Sequence, residues 1–270
     1  MKLGVAGLGL IGGSMALGLR AGHTVQGYDR SAEARQAAAA RGIAVVERLQ
    51  DLLPADAVIV ATPIDQIVPT LGELGPRAGG AALIEVGSLK SATAAFAARA
   101  SADTRIVGLH PMAGGTATGI AAADPEMFRG RPFLVVPTAR TDARAKALAA
   151  EIAHALGGDV TELSVEAHDR AVSAVSALPL AVAVALARVA REAAAVDLEL
   201  VAGPGLRDAT RLAGTSPDLA LALLGAPALR EHLASLREAI EQVERALGDE
   251  QALRAMLEGA ADRPGGSGAR

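Results

Sequence analysis

Five histidines occur among the 270 residues, and one of them, His110, sits in Gly108-Leu109-His110-Pro111-Met112-Ala113-Gly114-Gly115, directly after the apolar run Arg105-Ile106-Val107. An imidazole with an ordinary pKa near 6.5 accepts a proton readily at neutral pH. The proline that locks the next residue and the glycines beyond it suit a general base or hydrogen-bond acceptor on a strand end better than a core histidine. A second apolar run ends in Glu85-Val86-Gly87-Ser88-Leu89-Lys90. Ligands in open α/β sheets bind outside the carboxyl ends of strands, so Ser88, Lys90 and His110 are expected to project into one crevice. Lys90 has a second reading, as a solvated residue at a helix start. His23, His154 and His232 have no comparable setting.

The N-terminus holds Gly7-Leu8-Gly9-Leu10-Ile11-Gly12, a GxGxxG pattern. It follows a strand-like run, opens a helical one and lies 22 positions (29 − 7) before Asp29 at the end of a second strand-like run. That context is the dinucleotide fingerprint: Gly7 for a tight turn, Gly9 for approach to a pyrophosphate, Gly12 for close helix–strand packing, with the helix N-terminus favouring the anion. Asp29 would accept hydrogen bonds from ribose hydroxyls. Its charge repels a 2′-phosphate and so favours NAD, while Arg30 and Ser31 would bind that phosphate if Asp29 turned away, which leaves NADP open. Ala61, Thr62 and Pro63 end a further strand on the same edge, beside the expected cofactor.

These residues need a sheet to hold them. Strand-like runs (KLGVAG, HTVQGYD, DAVIVATP, ALIEVGS, TRIVGLHP, PFLVVPT, DVTEL) alternate with helical ones over about 160 residues, which argues for an α/β layer with a mostly parallel sheet. SAEARQAAAARG reads as a helix capped by Ser31 and stopped at Gly42. From about Ser164 the period is helical throughout, with a break near Gly225-Ala226-Pro227. The expected organisation is a Rossmann dinucleotide-binding domain over 1–163, an all-helical domain over 164–260 and a disordered tail over 261–270.

Composition narrows the class. A net charge of −4 argues against a nucleic-acid binder. The chain has no cysteine, which excludes disulfides and thiolate metal sites, and no metal site is expected. The N-terminal segment is apolar after Lys2, but its glycines and the strand pattern beyond them read as strand, turn and helix rather than as a cleaved leader. Ala171–Ala187 carries no charge, yet it is short for a bilayer span and is read as a buried interface helix. The protein is therefore expected to be cytoplasmic and off the membrane. The long apolar faces of the helical domain point to a homodimer.

GLGLIGGS, VGSLK, GLHPMAGG, FRGRPFLVVP, EAHDRAVSAVSALP and GPGLRDATRLA follow one another here in an order that resembles the prephenate and arogenate dehydrogenases, over about residues 1–220. The resemblance implies oxidative decarboxylation of a cyclohexadienol, with hydride passing to NAD or NADP. It implies that His110 accepts the ring hydroxyl's proton, that Ser88 lies near that hydroxyl, and that Arg211 binds a substrate carboxylate, with Arg207 on the same helical face. His168, Asp169 and Arg170 are also shared, and the resemblance gives them domain packing and the helix start. The chain departs from the pattern at three places. Ser176-Ala177-Leu178-Pro179-Leu180 stands where the family reads Ser-His-Leu-Pro-His. Gly115-Thr116 displaces a glutamate, and Glu85 replaces an aspartate. Ser176 and Thr116 are expected to line the altered substrate pocket, which admits prephenate, arogenate or an analogue such as amino-deoxyprephenate. Two other readings keep the fold and change the chemistry: a β-hydroxyacid or imine reductase, and a dinucleotide-binding protein that has lost catalysis.

Overall fold

The computed structural model describes residues 1–115, 117–194 and 196–260. Thr116 and the expected tail over 261–270 lie outside the described residues. The chain builds an eight-stranded sheet and then a helical region. β1 (Lys2–Ala6), β2 (Thr24–Tyr28), β3 (Ala44–Val45), β4 (Ala57–Val60), β5 (Ala82–Glu85), β6 (Arg105–Pro111), β7 (Pro132–Pro137) and β8 (Asp159–Glu162) lie in the order β3-β2-β1-β4-β5-β6-β7-β8. All pairings are parallel except β6 with β7. The two-residue β3 is too short to show any periodicity and was not expected from the sequence.

α1 (Leu10–Leu19), α2 (Ala32–Ala40), α3 (Ile64–Leu74), α4 (Ser91–Arg99) and α5 (Ala143–Ala155) connect the strands. Every residue of β4 and β5 is buried, as expected for strands covered on both faces. One apolar cluster, with Leu3, Met15, Ile84 and Phe133, fills one face of the sheet; another, with Val58, Leu71 and Ile106, fills the other. Ser31 caps α2 by accepting from the Ala34 N–H at 3.1 Å, and Asp142 caps α5 in the same way. Strand order reverses at β1, whose neighbours are β2 and β4, so the carboxyl ends of β1 and β4 meet at the switch point where such sheets take ligands.

The helical region begins with Val165–Ala193. This is one 29-residue helix, apolar enough by length and composition to cross a membrane. It comprises α6 (Val165–Val172), a π-helical turn at Ser173–Ala177 and α7 (Leu178–Ala193). Its first turns are pinned to the sheet through buried polar groups, as described below. Ala171–Ala187, read from the sequence as a buried interface helix, is only partly covered within one chain, where Val175 and Val184 stay 60% and 45% exposed. Then come α8 (Leu198–Val201), α9 (Pro204–Thr210), α10 (Pro217–Leu224), α11 (Leu229–Ala246) and α12 (Glu250–Ala260). α10 and α11 meet at 84° across the Gly225–Pro227 break.

The α1–β1 contact depends on missing side chains. Gly7 has φ +94°, and a Cβ on Gly12 would lie 1.9 Å from the Gly7 carbonyl oxygen and 2.9 Å from Ala61 Cβ. Backbone cannot swing aside as a flexible side chain can, so Gly12→Ala must push α1 off β1 and is expected to destabilise the fold by about 1–3 kcal/mol. Urea unfolding measures the loss; an unchanged midpoint would show that this packing is looser than described.

Candidate active site

His110 leaves β6 at the carboxyl edge of the sheet and is 9% exposed. Its Nδ1 lies 2.9 Å from Nε2 of His168, and Nδ1 of His168 lies 2.8 Å from a carboxylate oxygen of Asp169. The order of groups fixes the protons. Asp169 is a carboxylate and only accepts, so His168 donates to it from Nδ1, and a neutral His168 then presents a bare Nε2. His110 must then donate from Nδ1, which leaves its own Nε2 as a free acceptor. Burial first, then the Lys90 charge and His168, push the His110 pKa well below the usual histidine value, against a smaller opposing pull from Asp169. His110 is therefore a neutral base at physiological pH.

Asp169 itself is saturated. Oδ1 accepts from His168 and from the Lys90 N–H at 2.8 Å; Oδ2 accepts from the Ser91 N–H at 3.0 Å and from the Ser91 hydroxyl. Burial opposes its charge, but the hydrogen bonds from His168, Ser91 and the two backbone amides outweigh that and hold the pKa at about 2. The carboxylate thus caps α4 from the helical region. The sequence reading gave His168 only domain packing and the helix start. The structure adds a direct bond to His110 across 58 positions of chain. The sequence offered one local signal, a His-Asp pair in the turn after the Ser164 cap.

Lys90 is also corrected. It neither reaches into the crevice nor sits in solvent: it is 2% exposed, folded under β6 and 2.8 Å from a carboxylate oxygen of the fully buried Glu85. Ser88 stays half-buried, its hydroxyl making no hydrogen bond among the described residues.

The Gly-rich turn fits a dinucleotide. Gly9 caps α1 without a side chain, and nothing lies within 4 Å of where its Cβ would be. The first-turn N–H groups therefore open onto free space beside the positive end of the helix. Ala61 and Thr62 close the other wall: Ala61 O and Thr62 N lie 2.5 and 2.8 Å from a Cβ built on Gly7. The Thr62 hydroxyl is buried without a partner, an orphan donor at this cradle, and Pro63 starts α3 beside it. Asp29 accepts from the Leu8 N–H and the Ser31 N–H, both at 2.9 Å, which ties the end of β2 to the turn. Leu8 requires correction as a cofactor contact, because its side chain is fully buried against Gly27 and only its backbone belongs to the turn. Leu10 and Ile11 remain partly exposed. Arg30 is exposed; the Ser31 hydroxyl is committed to capping α2 and to Glu33 at 2.6 Å.

On the helical side, Arg207 lies in the last turn of α9, and Arg211 opens the 3-10 turn that follows, so the shared helical face expected of them breaks between the two. Both are exposed and form no ion pair among the described residues. Leu89, next to Ser88, and Leu212, next to Arg211, pack on one apolar cluster with Val172, Ala177 and Leu180, which brings the two segments together. Ser176 is half-buried in the π-helical turn, while Ala177 and Leu180 are sealed inside the cluster. Thr116 lies outside the described residues.

Comparison with known proteins agrees with this geometry. Residues 15–162 match the family model described as prephenate dehydrogenase, nucleotide-binding domain, and residues 164–258 match prephenate dehydrogenase, dimerization domain. The chain is 33% identical to the prephenate dehydrogenase of Bacillus subtilis over 226 residues, covering 79% of this chain and 60% of that protein, so it spans less than two thirds of that relative's length. It is 30% identical to the cyclohexadienyl dehydrogenase of Zymomonas mobilis, covering 84% of this chain and 82% of the other. The crystal structure of Synechocystis arogenate dehydrogenase superposes with a TM-score of 0.81 at 31% identity, covering 97% of this chain and 99% of that one.

The saturated Asp169 predicts a pH signature. A carboxylate whose folded pKa is depressed contributes stability that is fully present above its unfolded value near 3.9 and is lost as pH falls through about 2. The stability gap between the wild-type protein and Asp169→Asn should therefore be largest above about pH 5 and shrink by about 2–3 kcal/mol toward pH 2. Urea melts across that range test it, and a gap independent of pH contradicts it.

Proposed function

The chain belongs to the prephenate dehydrogenase family, and on that premise we propose that it oxidatively decarboxylates a cyclohexadienol of the prephenate or arogenate type with a nicotinamide dinucleotide. The observation that carries this reading is the bare Nε2 of His110, held at the carboxyl edge by His168 and Asp169. A nicotinamide dinucleotide held by the Gly7–Gly12 turn, Asp29 and Thr62 would supply the acceptor for hydride from the ring carbon that bears the hydroxyl. His110 accepts the hydroxyl proton, and the growing positive charge on its ring is relayed through His168 toward Asp169. Ser88, with a free hydroxyl, holds the same substrate oxygen. Arg211 pairs with a substrate carboxylate in the two-pronged geometry that guanidinium offers, and Arg207 lies near enough in the chain to assist. Loss of carbon dioxide from the opposite ring carbon yields the aromatic ring.

The complete base assembly speaks against a protein that has lost catalysis. A base on a strand end of the sheet domain also separates it from reductases that draw their catalytic residue from the helical domain. The matched dimerization domain, together with exposed Val175, Val189, Leu221 and Ile240, supports a homodimer in which a second copy covers these faces. We place the enzyme in the cytoplasm, in line with a biosynthetic role.

The cofactor is NAD on this reading. The Ser31 hydroxyl accepts from the Ala34 N–H and donates its proton to Glu33, so it has no proton left for a 2′-phosphate. The Glu33 carboxyl, held below its usual range chiefly by the Ser31 hydroxyl, adds a second negative charge beside Asp29. Two carboxylates facing one phosphate are repulsive.

Two measurements test the proposal. With prephenate and with arogenate, appearance of the reduced-cofactor absorbance should be seen for one or both, and His110→Asn should lower kcat by about 10²–10⁴-fold with the dinucleotide Kd unchanged. No turnover of either substrate by the wild-type protein, or an active His110→Asn, defeats it. Separately, NAD should be preferred over NADP, and the double change Asp29→Asn with Glu33→Gln should narrow that preference. A native preference for NADP would reverse the assignment.

A further inference from the structure

Next to the imidazole pair lies a buried ion pair that proton acceptance, as derived above, does not use. The Lys90 ammonium donates to the Gly87 carbonyl at 2.7 Å and the Glu85 carbonyl at 3.3 Å, and it lies 2.8 Å from a Glu85 carboxylate oxygen as an ion pair outside hydrogen-bond geometry. Three oxygens around one nitrogen suit a cation, since a neutral amine would turn its lone pair toward one of them. Burial pulls the Lys90 pKa below the lysine norm, and Glu85 opposes that pull. The other Glu85 oxygen accepts from the Gly87 N–H at 2.9 Å.

The pair is built against the base. Gly108 lies two residues before His110, hence on the same face of β6. A Cβ there would meet Lys90 Cδ at 3.0 Å, Lys90 Cε at 3.1 Å and Glu85 Oε1 at 3.2 Å. The strand thus opens at Gly108 to let the lysine stem cross behind His110. Lys90 is further fixed by its own N–H, bonded to the Asp169 oxygen that holds His168.

We propose that the Lys90–Glu85 pair is a charge-balancing device that keeps His110 a free base in the resting protein, which makes Lys90 and Glu85 positioning residues for proton acceptance. This rests on the reading of His110 as the base. The charged and titratable groups facing His110 are Lys90 with Glu85 from the β5–α4 segment and His168 with Asp169 from α6; its register partner on β7, Leu134, is uncharged. With both rings neutral the cluster carries Glu85 (−1), Lys90 (+1) and Asp169 (−1), one net negative charge. One accepted proton brings it to zero. Without the lysine charge two buried carboxylates would face the rings, and His110 would already hold a proton at rest.

The test follows the His110 ring resonances of the full-length protein by NMR, without substrate, alongside the pH profile of kcat/KM. Lys90→Met should raise the His110 titration and the acid limb of the profile by about one to two pH units. Glu85→Gln, which keeps the ammonium and removes its counter-charge, should move both the other way. The double variant Glu85→Gln with Lys90→Met restores the net charge and should titrate like the wild type; replacing a buried ion pair by uncharged groups of similar size is often tolerated, so it also serves if Lys90→Met alone fails to fold. Single variants that shift in the same direction, or a double variant that stays displaced, overturn the proposal. A titration that moves while the activity profile does not upholds the charge balance and removes His110 as the base.

Discussion

A carboxylate buried between two domains must be saturated by donors, and Asp169 meets that demand in a way that constrains everything around it. Its four hydrogen bonds come from the first residues of α4 and from its own neighbour His168. The α4 bonds lock the helical region onto the sheet. The His168 bond decides which nitrogen of that ring is bare, and through it which nitrogen of His110 is bare. Domain docking and the tautomer of the base are therefore consequences of one charge. A loose domain interface would also be a site with an undefined proton acceptor.

The cofactor end follows the opposite principle, since absent side chains rather than satisfied charges bring its parts together. Gly12 lets α1 sit on the Gly7 carbonyl, and Gly9 leaves open space at the helix terminus. The same thinness lets the connection between β6 and β7 lie across α1. The Asp124 N–H donates to the Ser14 hydroxyl at 2.8 Å, and Ile120 packs where a Gly13 Cβ would be. The loop that leaves His110 thus runs over the helix that starts at the cofactor turn. Packing, not a flexible linker, sets the relation between base and cradle.

Local rules sufficed for much of this. Gly7, Gly9 and Gly12 before a helix, the Ser31 cap, the fully apolar β4 and β5, and His110 on a strand end are all written within a few residues of chain. What escaped was non-local. Lys90 looks like a solvated charge at a helix start because nothing near it in sequence says that Glu85 and two carbonyls will enclose its ammonium. His168 looks like part of a helix start because its partner is 58 positions away, across a domain boundary. Leu8 was drawn into the cofactor motif by its position between two glycines, although its apolar side chain belongs to the core. The π-helical turn at Ser173–Ala177 has no periodic signature at all.

The departures from the family pattern gain a physical meaning from this arrangement. Where the family reads histidines, Ala177 and Leu180 are 0% and 2% exposed and pack with Val172, Leu223 and Leu229. Two polar groups at these positions would each need a hydrogen-bond partner inside an apolar cluster, and each one left unpaired would cost about 1–3 kcal/mol. The two replacements are therefore mutually consistent: once one position turned apolar, a lone imidazole at the other would sit in an apolar cluster without a partner. On the proposed reading, polar recognition of the substrate then falls to groups outside the cluster, the unpaired guanidiniums of Arg211 and Arg207 and the hydroxyls of Ser88 and Ser176. Guanidiniums and hydroxyls grip carboxylates and hydroxyls but offer a substrate ammonium no counter-charge.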